Sequence, residues 1–431
     1  MPIRNLQILI LALIVCGACY YQAERSRYGG RIGAAIELIE NNYVEPVDSD
    51  KLYHGAMNGL VSQLDQFSEF IPPSKYEEFQ SVIEQKFGGL GILVEGPPAV
   101  RQLTVVAPIP GTPAFAAGLQ PGDFIQAIDG VATNEMLASD ATKLMRGPLG
   151  KPVTLTLRRD GLAANFDVKI TRADIPIDSV FGDRIQADSY WNFFLEEDPR
   201  IAYIRVTLFG EKTDQEFAAA LEKVKGSASA IIIDLRYNPG GILKTAVDMC
   251  DMLVSQGVIV STRGRNGQTD TIAKASPGTV ISEDIPMVVM VNDQSASASE
   301  IMAGCLQDLG RAEIAGSRSY GKGTVQRIFE LGNDQTALKF TTARFYRPSG
   351  MNIHRSKSMS IDDEWGIRPS PELELKLSDL HDLFLARRWQ LRSDPRLTNT
   401  VERPPAPPCA ADPQLLLVLE HLQFQLQAKA E

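Results

Sequence analysis

The stretch IPMVVMVNDQSASASEIMAGCL (285–306) runs from an apolar strand, through a short polar turn, into an amphipathic helix. A serine on such a corner is well placed for chemistry. Its hydroxyl can be exposed, and the helix N-terminus offers N–H groups and positive potential to an oxyanion. Ser297 stands at that corner. With Glu300 it also fits the S-x-x-E pattern of a helix capping box. The two roles are compatible, and this stretch alone leaves both open.

Downstream lies SRSYGKGTVQRIF (317–329), with Lys322 between Gly321 and Gly323. A strand over Thr324 to Phe329 would put Lys322, Thr324 and Gln326 on one face. A lysine acts as a general base only when neutral, and burial favours that form. Gln326 could hold the amine without adding a charge that restores the proton. The alternative is an ordinary surface lysine. A phosphate loop is not indicated, because Gly323 follows Lys322 where serine or threonine is required. Upstream, IIIDLRYNPGGIL (231–243) reads as a buried strand ending in Asn238-Pro239-Gly240-Gly241, with a helix after it. Two glycines at a strand end leave backbone N–H groups that a substrate can reach. A tight structural turn, with Asp234 and Arg236 as a pair, fits the same residues.

Around these stretches the texture changes three times. Residues Arg31 to Gln85 carry helical periodicity, as in IGAAIELIENNY and KLYHGAMNGLVSQL. From Phe87 to Arg172 short β-rich runs alternate with Gly and Pro, which predicts a compact β module. From Ala173 onward strands (IAYIRVTLF, AIIIDLRY, MVVMVN, LKFTTARFY) alternate with helices (DQEFAAALEKV, LKTAVDMCDML, SEIMAGCLQDL), the pattern of an α/β layer architecture. RPPAPPC (403–409) reads as a proline-rich linker. Asp412 and Pro413 then read as N-cap and first position of a last helix, LLLVLEHLQFQL.

The chain has 431 residues, 44% hydrophobic and 22% charged, which suits two or three globular domains. Lys plus Arg is 43 against 53 Asp plus Glu, a net charge of -10, so no electrostatic footprint for nucleic acid is present. The five cysteines and four histidines form no disulfide framework, metal-ligand spacing or nucleophile–histidine motif. Leu6 to Tyr21 is strongly apolar and preceded by Arg4, so a signal peptide or a membrane anchor is expected over residues 1–24.

Taken together, DLRYNPGG (234–241), SASASE (295–300) and GKGTVQ (321–326) resemble the carboxyl-terminal processing peptidases, also called tail-specific proteases. The resemblance runs from about Ile32 to Leu422. It implies an α/β protease core of that type, with an inserted β-rich PDZ domain and a small N-terminal helical region. The boundaries expected are 25–85 for the helices, 86–172 for the PDZ domain, 173–395 for the core and 396–431 for the linker and last helix. It also implies Ser297 as nucleophile, Lys322 as base, Gln326 as its orienting group, and the N–H groups of Ala298 and Gly240 as oxyanion hole. FGGLGI (87–92) resembles a PDZ carboxylate-binding loop, which makes Gly89, Leu90, Gly91 and Ile92 substrate-binding. PGTPAFAAGLQPGDFIQAIDG (110–130) is similarly PDZ-like. Arg146, in MRGPLG, matches a position that couples peptide binding to the active site in some members. Gln66, Tyr237 and GIRPS (366–370) depart from the family pattern without touching the proposed dyad.

The expectation is therefore an exported serine endopeptidase, periplasmic or otherwise extracytoplasmic. It needs no cofactor and no metal. Its partners are proteins or peptides with a free C-terminus, with membrane attachment and homo-oligomerisation left open. Two rivals are a catalytically silent PDZ scaffold or ligand carrier on the same fold, and a Ser-His hydrolase using His354.

Overall fold

The computed structural model of the chain describes residues 27–96, 102–109, 111–134, 136–186, 190–332, 336–393 and 412–430, together with positions 5, 10, 13 and 16. The expected leader segment, apart from those four positions, and the proline-rich stretch 403–409 lie outside the described residues. Among the described residues no helix is long and apolar enough to cross a membrane. Two compact units are present: Met1–Glu77 with Gln326–Thr342, and Glu78–Val325 with Ala343–Glu431.

In the first unit, helices α1 (Arg27–Asn42) and α2 (Ser49–Val61) precede strand β1 (Glu69–Ile71). Asp48 caps α2, accepting the Asp50 N–H at 2.9 Å. β1 pairs antiparallel with residues 337–339, and Phe70 carries the rings of Tyr53 and His54 from α2. Helix α3 (Pro73–Ile83) comes next in the chain.

The second unit begins its β-rich module on a ribbon. Strands β2 (Lys86–Gly89) and β9 (Ala173–Pro176) pair antiparallel, so the chain enters and leaves the module side by side. Between them, β3 (Ile92–Glu95), β4 (Thr104–Pro108), β5 (Phe124–Ile128), β7 (Pro152–Arg158) and β8 (Phe166–Thr171) form a sheet in that order, with β6 (Val131–Ala132) on β5. Helices α4 (Pro113–Ala116) and α5 (Ala138–Met145) accompany it. The period-two pattern of PVTLTLR buries Val153, Leu155 and Leu157 and leaves the threonines between them half-buried. Those three residues join Leu103, Val105, Ile125 and Met145 in the module's own core.

A five-stranded sheet of order β10 (Val180–Phe181), β13 (Ile201–Val206), β14 (Ala230–Asp234), β17 (Met287–Val291) and β18 (Glu313–Gly316) forms the α/β core. A small ribbon, β11 (Arg184–Ile185) with β12 (Trp191–Asn192), follows β10. β13, β14, β17 and β18 run parallel. Every residue of β14 and β17 is buried, as expected for parallel strands covered on both faces. On one face Ile231, Ile233, Val289 and Val291 pack against α6 (Thr213–Val224), α7 (Leu243–Asp251) and α8 (Ala298–Asp308). On the other, Ile232, Val288 and Met290 meet Leu415, Val418, Leu419 and Leu422 of the last helix, Pro413–Ala430. Each fully buried leucine there is worth about 1.5–3 kcal/mol. Strands β15 (Val258–Arg263) and β16 (Thr269–Lys274) form a hairpin, and Arg344–Tyr346 pair with β15. None of β15, β16 and β18 was prominent in the sequence pattern; nor was the helix Asp379–Arg392, where charged residues break the apolar periodicity.

Asp412 does cap the last helix, accepting the Leu415 N–H at 3.1 Å. It does more: Arg236, at the end of β14, donates to both Asp412 oxygens at 2.9 Å, to Gln414 Oε1 at 2.9 Å and to Asp234 at 2.6–3.1 Å. All three charged side chains are fully buried. Burial alone pushes the Asp412 carboxyl up, but the Arg236 charge and hydrogen bonds, with the Leu415 N–H, together outweigh it and hold the group below its usual range. Stability from Asp412 is thus present above the ordinary carboxylate pKa and lost as pH falls through the lowered one. Arg236→Met strands two buried carboxylates and should cost about 3–5 kcal/mol. Urea unfolding checks this, and a loss below about 1 kcal/mol contradicts the arrangement.

Candidate active site

The parallel pairing of β14 with β17 decides where the chemistry-bearing turns meet. Ile231 stands opposite Met287 and Asp234 opposite Met290, so both strands end at the same level. The turn 235–241 and the turn 292–297 therefore leave the sheet side by side, at the carboxyl ends of the strands where α/β sites form. Cross-bonds lock them. The Ala296 N–H donates to the Asn238 carbonyl at 3.0 Å, and the Tyr237 N–H donates to Asn292 Oδ1 at 2.9 Å. The Asn238 amide donates to the Val206 carbonyl at 2.9 Å, anchoring the turn to β13.

The three serines of SASASE separate clearly. Ser295 is fully buried and donates to the Leu235 carbonyl at 2.8 Å. Ser299 is fully buried and donates to the Asn238 carbonyl at 2.9 Å. Both are structural ties between the turns. Ser297 is half-buried and takes φ 57° and ψ −113°, a conformation that L-residues rarely hold. Such strain persists only where surroundings over-determine it. The sharp corner places Ala298 first in α8, where its N–H has no intrahelical acceptor. Gly240 packs directly against this corner. A Cβ on Gly240 would lie 2.8 Å from Ser297 Cβ and 2.9 Å from the Ala298 nitrogen, and its φ of 100° itself calls for glycine. The Gly240 N–H donates to Asn238 Oδ1 at 2.9 Å.

Glu300 brings Lys322 to the same place. Its carboxylate is fully buried and accepts four hydrogen bonds. Oε2 takes the Ser297 N–H at 2.9 Å and the Lys322 N–H at 2.8 Å. Oε1 takes the Gly321 N–H at 2.7 Å and the Ser319 hydroxyl at 2.6 Å. One carboxylate oxygen thus holds the backbone of both Ser297 and Lys322. The sequence pattern marked Glu300 only as a helix cap, since nothing local signals a partner more than twenty residues on. The glycines flanking Lys322 are sterically required. A Cβ on Gly321 would meet Arg355 Cβ at 2.8 Å, and one on Gly323 would meet the His354 nitrogen at 2.5 Å. Lys322 itself is half-buried. Gln326 belongs to the first unit, on strand Thr324–Leu331, where its amide donates to Thr341 Oγ1 at 3.2 Å. Tyr237, the departure from the family pattern, has φ 60°; its hydroxyl bonds Asp382 and its ring meets Trp389 edge-on.

In the β module, the turn before β3 is held through its carbonyls. Leu90 O accepts the Ala114 N–H, and Gly91 O accepts the Ile109 N–H, both at 2.9 Å. In a trans peptide C=O and N–H point opposite ways, so the N–H groups of Gly91 and Ile92 face away from that segment. β3 is the end strand of its sheet, and Ile92 and Val94 pack on the cluster that includes Ala141 and Met145 of α5. Arg146 follows α5 and is exposed, and the next residue, Gly147, donates to the Gly88 carbonyl at 3.2 Å.

A strained serine corner thus stands beside a glycine turn and the backbone of a lysine, and the same chain carries a β module with an end strand. Comparison with known proteins identifies the class. The profile of peptidase family S41 matches residues 200–369, a PDZ domain profile matches 104–159, and the activating protease CtpB N-terminal domain matches 21–72. A carboxy-terminal-processing protease of Bartonella bacilliformis is 38% identical over 328 residues, 75% of this chain and 72% of that protein. Carboxy-terminal processing protease CtpA of Bacillus subtilis is 31% identical over 373 residues, 85% and 74% of the two chains. Among solved structures, a photosystem II D1 C-terminal processing protease aligns at 25% identity and TM-score 0.44, over 87% of this chain and 98% of that one. The chain belongs to the carboxy-terminal processing serine proteases of family S41, and its substrates are proteins.

Burial pushes the Glu300 carboxyl above its usual range, against the pull of Ser319, Lys322, Gly321 and Ser297. A raised folded-state pKa means that this group's contribution is complete below the ordinary value and declines as pH rises through the raised one. Glu300→Gln removes that dependence and turns an amide NH2 toward backbone donors. Loss of about 1–3 kcal/mol is expected, with stability flatter above the ordinary carboxylate pKa than in the native chain. Thermal unfolding across that range checks it; an unchanged stability and slope would contradict the four-donor arrangement.

Proposed function

We propose that Ser297 is the nucleophile and Lys322 its general base. What carries the reading is that Ser297, alone among the three serines of its turn, is half-exposed and strained while the other two are buried and hydrogen-bonded. Neutral Lys322 takes the Ser297 proton as the hydroxyl attacks the scissile carbonyl. The Ala298 N–H, aided by the start of α8, stabilises the oxyanion, with the Gly240 N–H as second donor. An incoming oxyanion competes with Asn238 Oδ1 for that second N–H. Lys322 then protonates the leaving amine and activates water for deacylation. Gln326 orients the lysine amine, a role that rests on its four-residue spacing in GKGTVQ.

The substrate's free C-terminus docks first. Its carboxylate meets the N–H groups of the turn Gly89, Leu90, Gly91 and Ile92, and its backbone extends along β3 as an added strand. Arg146, beside that turn, couples docking to cleavage. Leu6 to Tyr21 directs the chain out of the cytoplasm as a signal peptide or anchor, which protease accessibility in intact cells can check. Homo-oligomerisation and attachment to the membrane through that segment are compatible with this reading.

Ser297→Ala should reduce cleavage by at least about a thousandfold, whereas Ser295→Ala and Ser299→Ala should keep measurable turnover per folded molecule. Peptide-cleavage assays on the three variants decide it. Full activity in Ser297→Ala would show that another group attacks.

A peptide ending in a small or apolar residue should bind about ten- to hundredfold more tightly with a free carboxylate than with an amidated end, because charge-assisted bonds are lost. Calorimetry on the Ser297→Ala chain measures this without turnover. Equal affinities would remove the carboxylate-reading role of the turn.

A further inference from the structure

Gln85 stands where the β module joins the α/β core. It precedes β2, the strand by which the chain enters the module, and its carbonyl accepts the N–H of Ile177, just after β9, by which the chain leaves. Its side chain is fully buried, and its backbone has φ 51°, again a strained setting for an L-residue. The amide is used at both ends. Nε2 donates to the Ile177 carbonyl at 3.2 Å and to Glu216 Oε1 at 3.3 Å. Oε1 accepts the Lys212 N–H at 2.6 Å and the Thr213 hydroxyl at 3.3 Å.

Those last contacts lead into the loop 208–213. Thr213 Oγ1 accepts the Gly210 N–H at 2.9 Å and lies 3.1 Å from the Leu208 carbonyl. Gly210 packs so closely on Gln85 that a Cβ there would lie 2.4 Å from the glutamine side chain. The residue between, Phe209, is paired with the glycine turn: its N–H donates to the Gly240 carbonyl at 3.0 Å, and its carbonyl accepts the Ile242 N–H at 2.7 Å. A Cβ on Gly241 would lie 2.2 Å from that same Phe209 carbonyl. A continuous set of contacts, centred on the buried residues Gln85, Thr213, Gly210 and Phe209, therefore runs from the two stems of the module to the peptide groups of Gly240 and Gly241.

We propose that Gln85 is a positioning residue for cleavage: through Lys212, Thr213 and Phe209 it sets the Gly240 backbone, so that the posture of the module's stems is felt at the reaction centre. The inference rests on the assignment of Ser297 and Gly240 to that centre. A fully buried amide that bonds a stem on one side and a loop on the other couples the two, because leaving either end of it unpaired is costly.

The test uses the full chain with Gln85→Met, which keeps length and removes the amide. Active molecules are counted by titration of Ser297 with a serine-reactive phosphonate, and kcat and KM are measured on a peptide substrate with a free C-terminus. A fall in kcat of about tenfold per titrated site, with KM within about twofold, is expected. Thr213→Val removes the hydroxyl that bonds Gln85 and, at 2.7 Å, Ser179 Oγ, while leaving the bonds between Gln85 and Ile177, so it serves if Gln85→Met does not fold, and the same split is expected. Normal kcat per titrated site in either variant overturns the proposal, whatever its thermal stability, because a purely structural role lowers the number of active molecules and not their turnover. Cleavage that survives Ser297→Ala would overturn the site assignment instead, a result distinct from either.

Discussion

One buried carboxylate holds the site together. Glu300 accepts from the backbone of Ser297, Gly321 and Lys322 and from the Ser319 hydroxyl, and no water reaches it. Burying an ionised carboxylate is costly unless its lone pairs are filled. Here they are filled by the backbone of the proposed nucleophile and base and by Ser319 and Gly321, so the cost of an unfilled oxygen becomes a restoring force on their positions. Glu300 takes no part in the reaction as proposed. It fixes where the two parts of the chain proposed to take part can be.

The wider frame depends on strand order. Because β14 and β17 are neighbours and parallel, two turns far apart in sequence emerge together, and the serines that flank Ser297 serve as their ties. The middle serine is left to bear the strain of the corner. The same economy appears at Arg236, whose side chain links the end of β14 to the start of the last helix and so couples the terminal helix to the strand that carries the glycine turn.

Much of this was legible in the residues. The strand-turn-helix at 285–306, the strand and glycine turn at 231–243 and the Asp412-Pro413 helix start all carry strong local signals: buried β-branched runs, Gly pairs and capping residues. What remained hidden was non-local. Glu300 looks like one half of a capping box, and nothing near it announces Ser319 or Gly321. Asp234 and Arg236 read as a pair, while their third member, Asp412, is remote in sequence. Positive φ at Ser297 and Tyr237 could not be inferred, since neither residue type favours it; the surrounding bonds impose it. Gln85 has no sequence signal at all, because an isolated glutamine after a helix is ordinarily exposed.

The central claim is that Lys322 is the base that activates Ser297, and the pH dependence of Ser297 labelling by a serine-reactive phosphonate tests it most directly. The account predicts a rate that rises with one apparent pKa well below the ordinary lysine value of about 10.4, and a variant, Lys322→Met, in which both the rate and that titration are lost. A labelling rate and pH profile unchanged by Lys322→Met would contradict it.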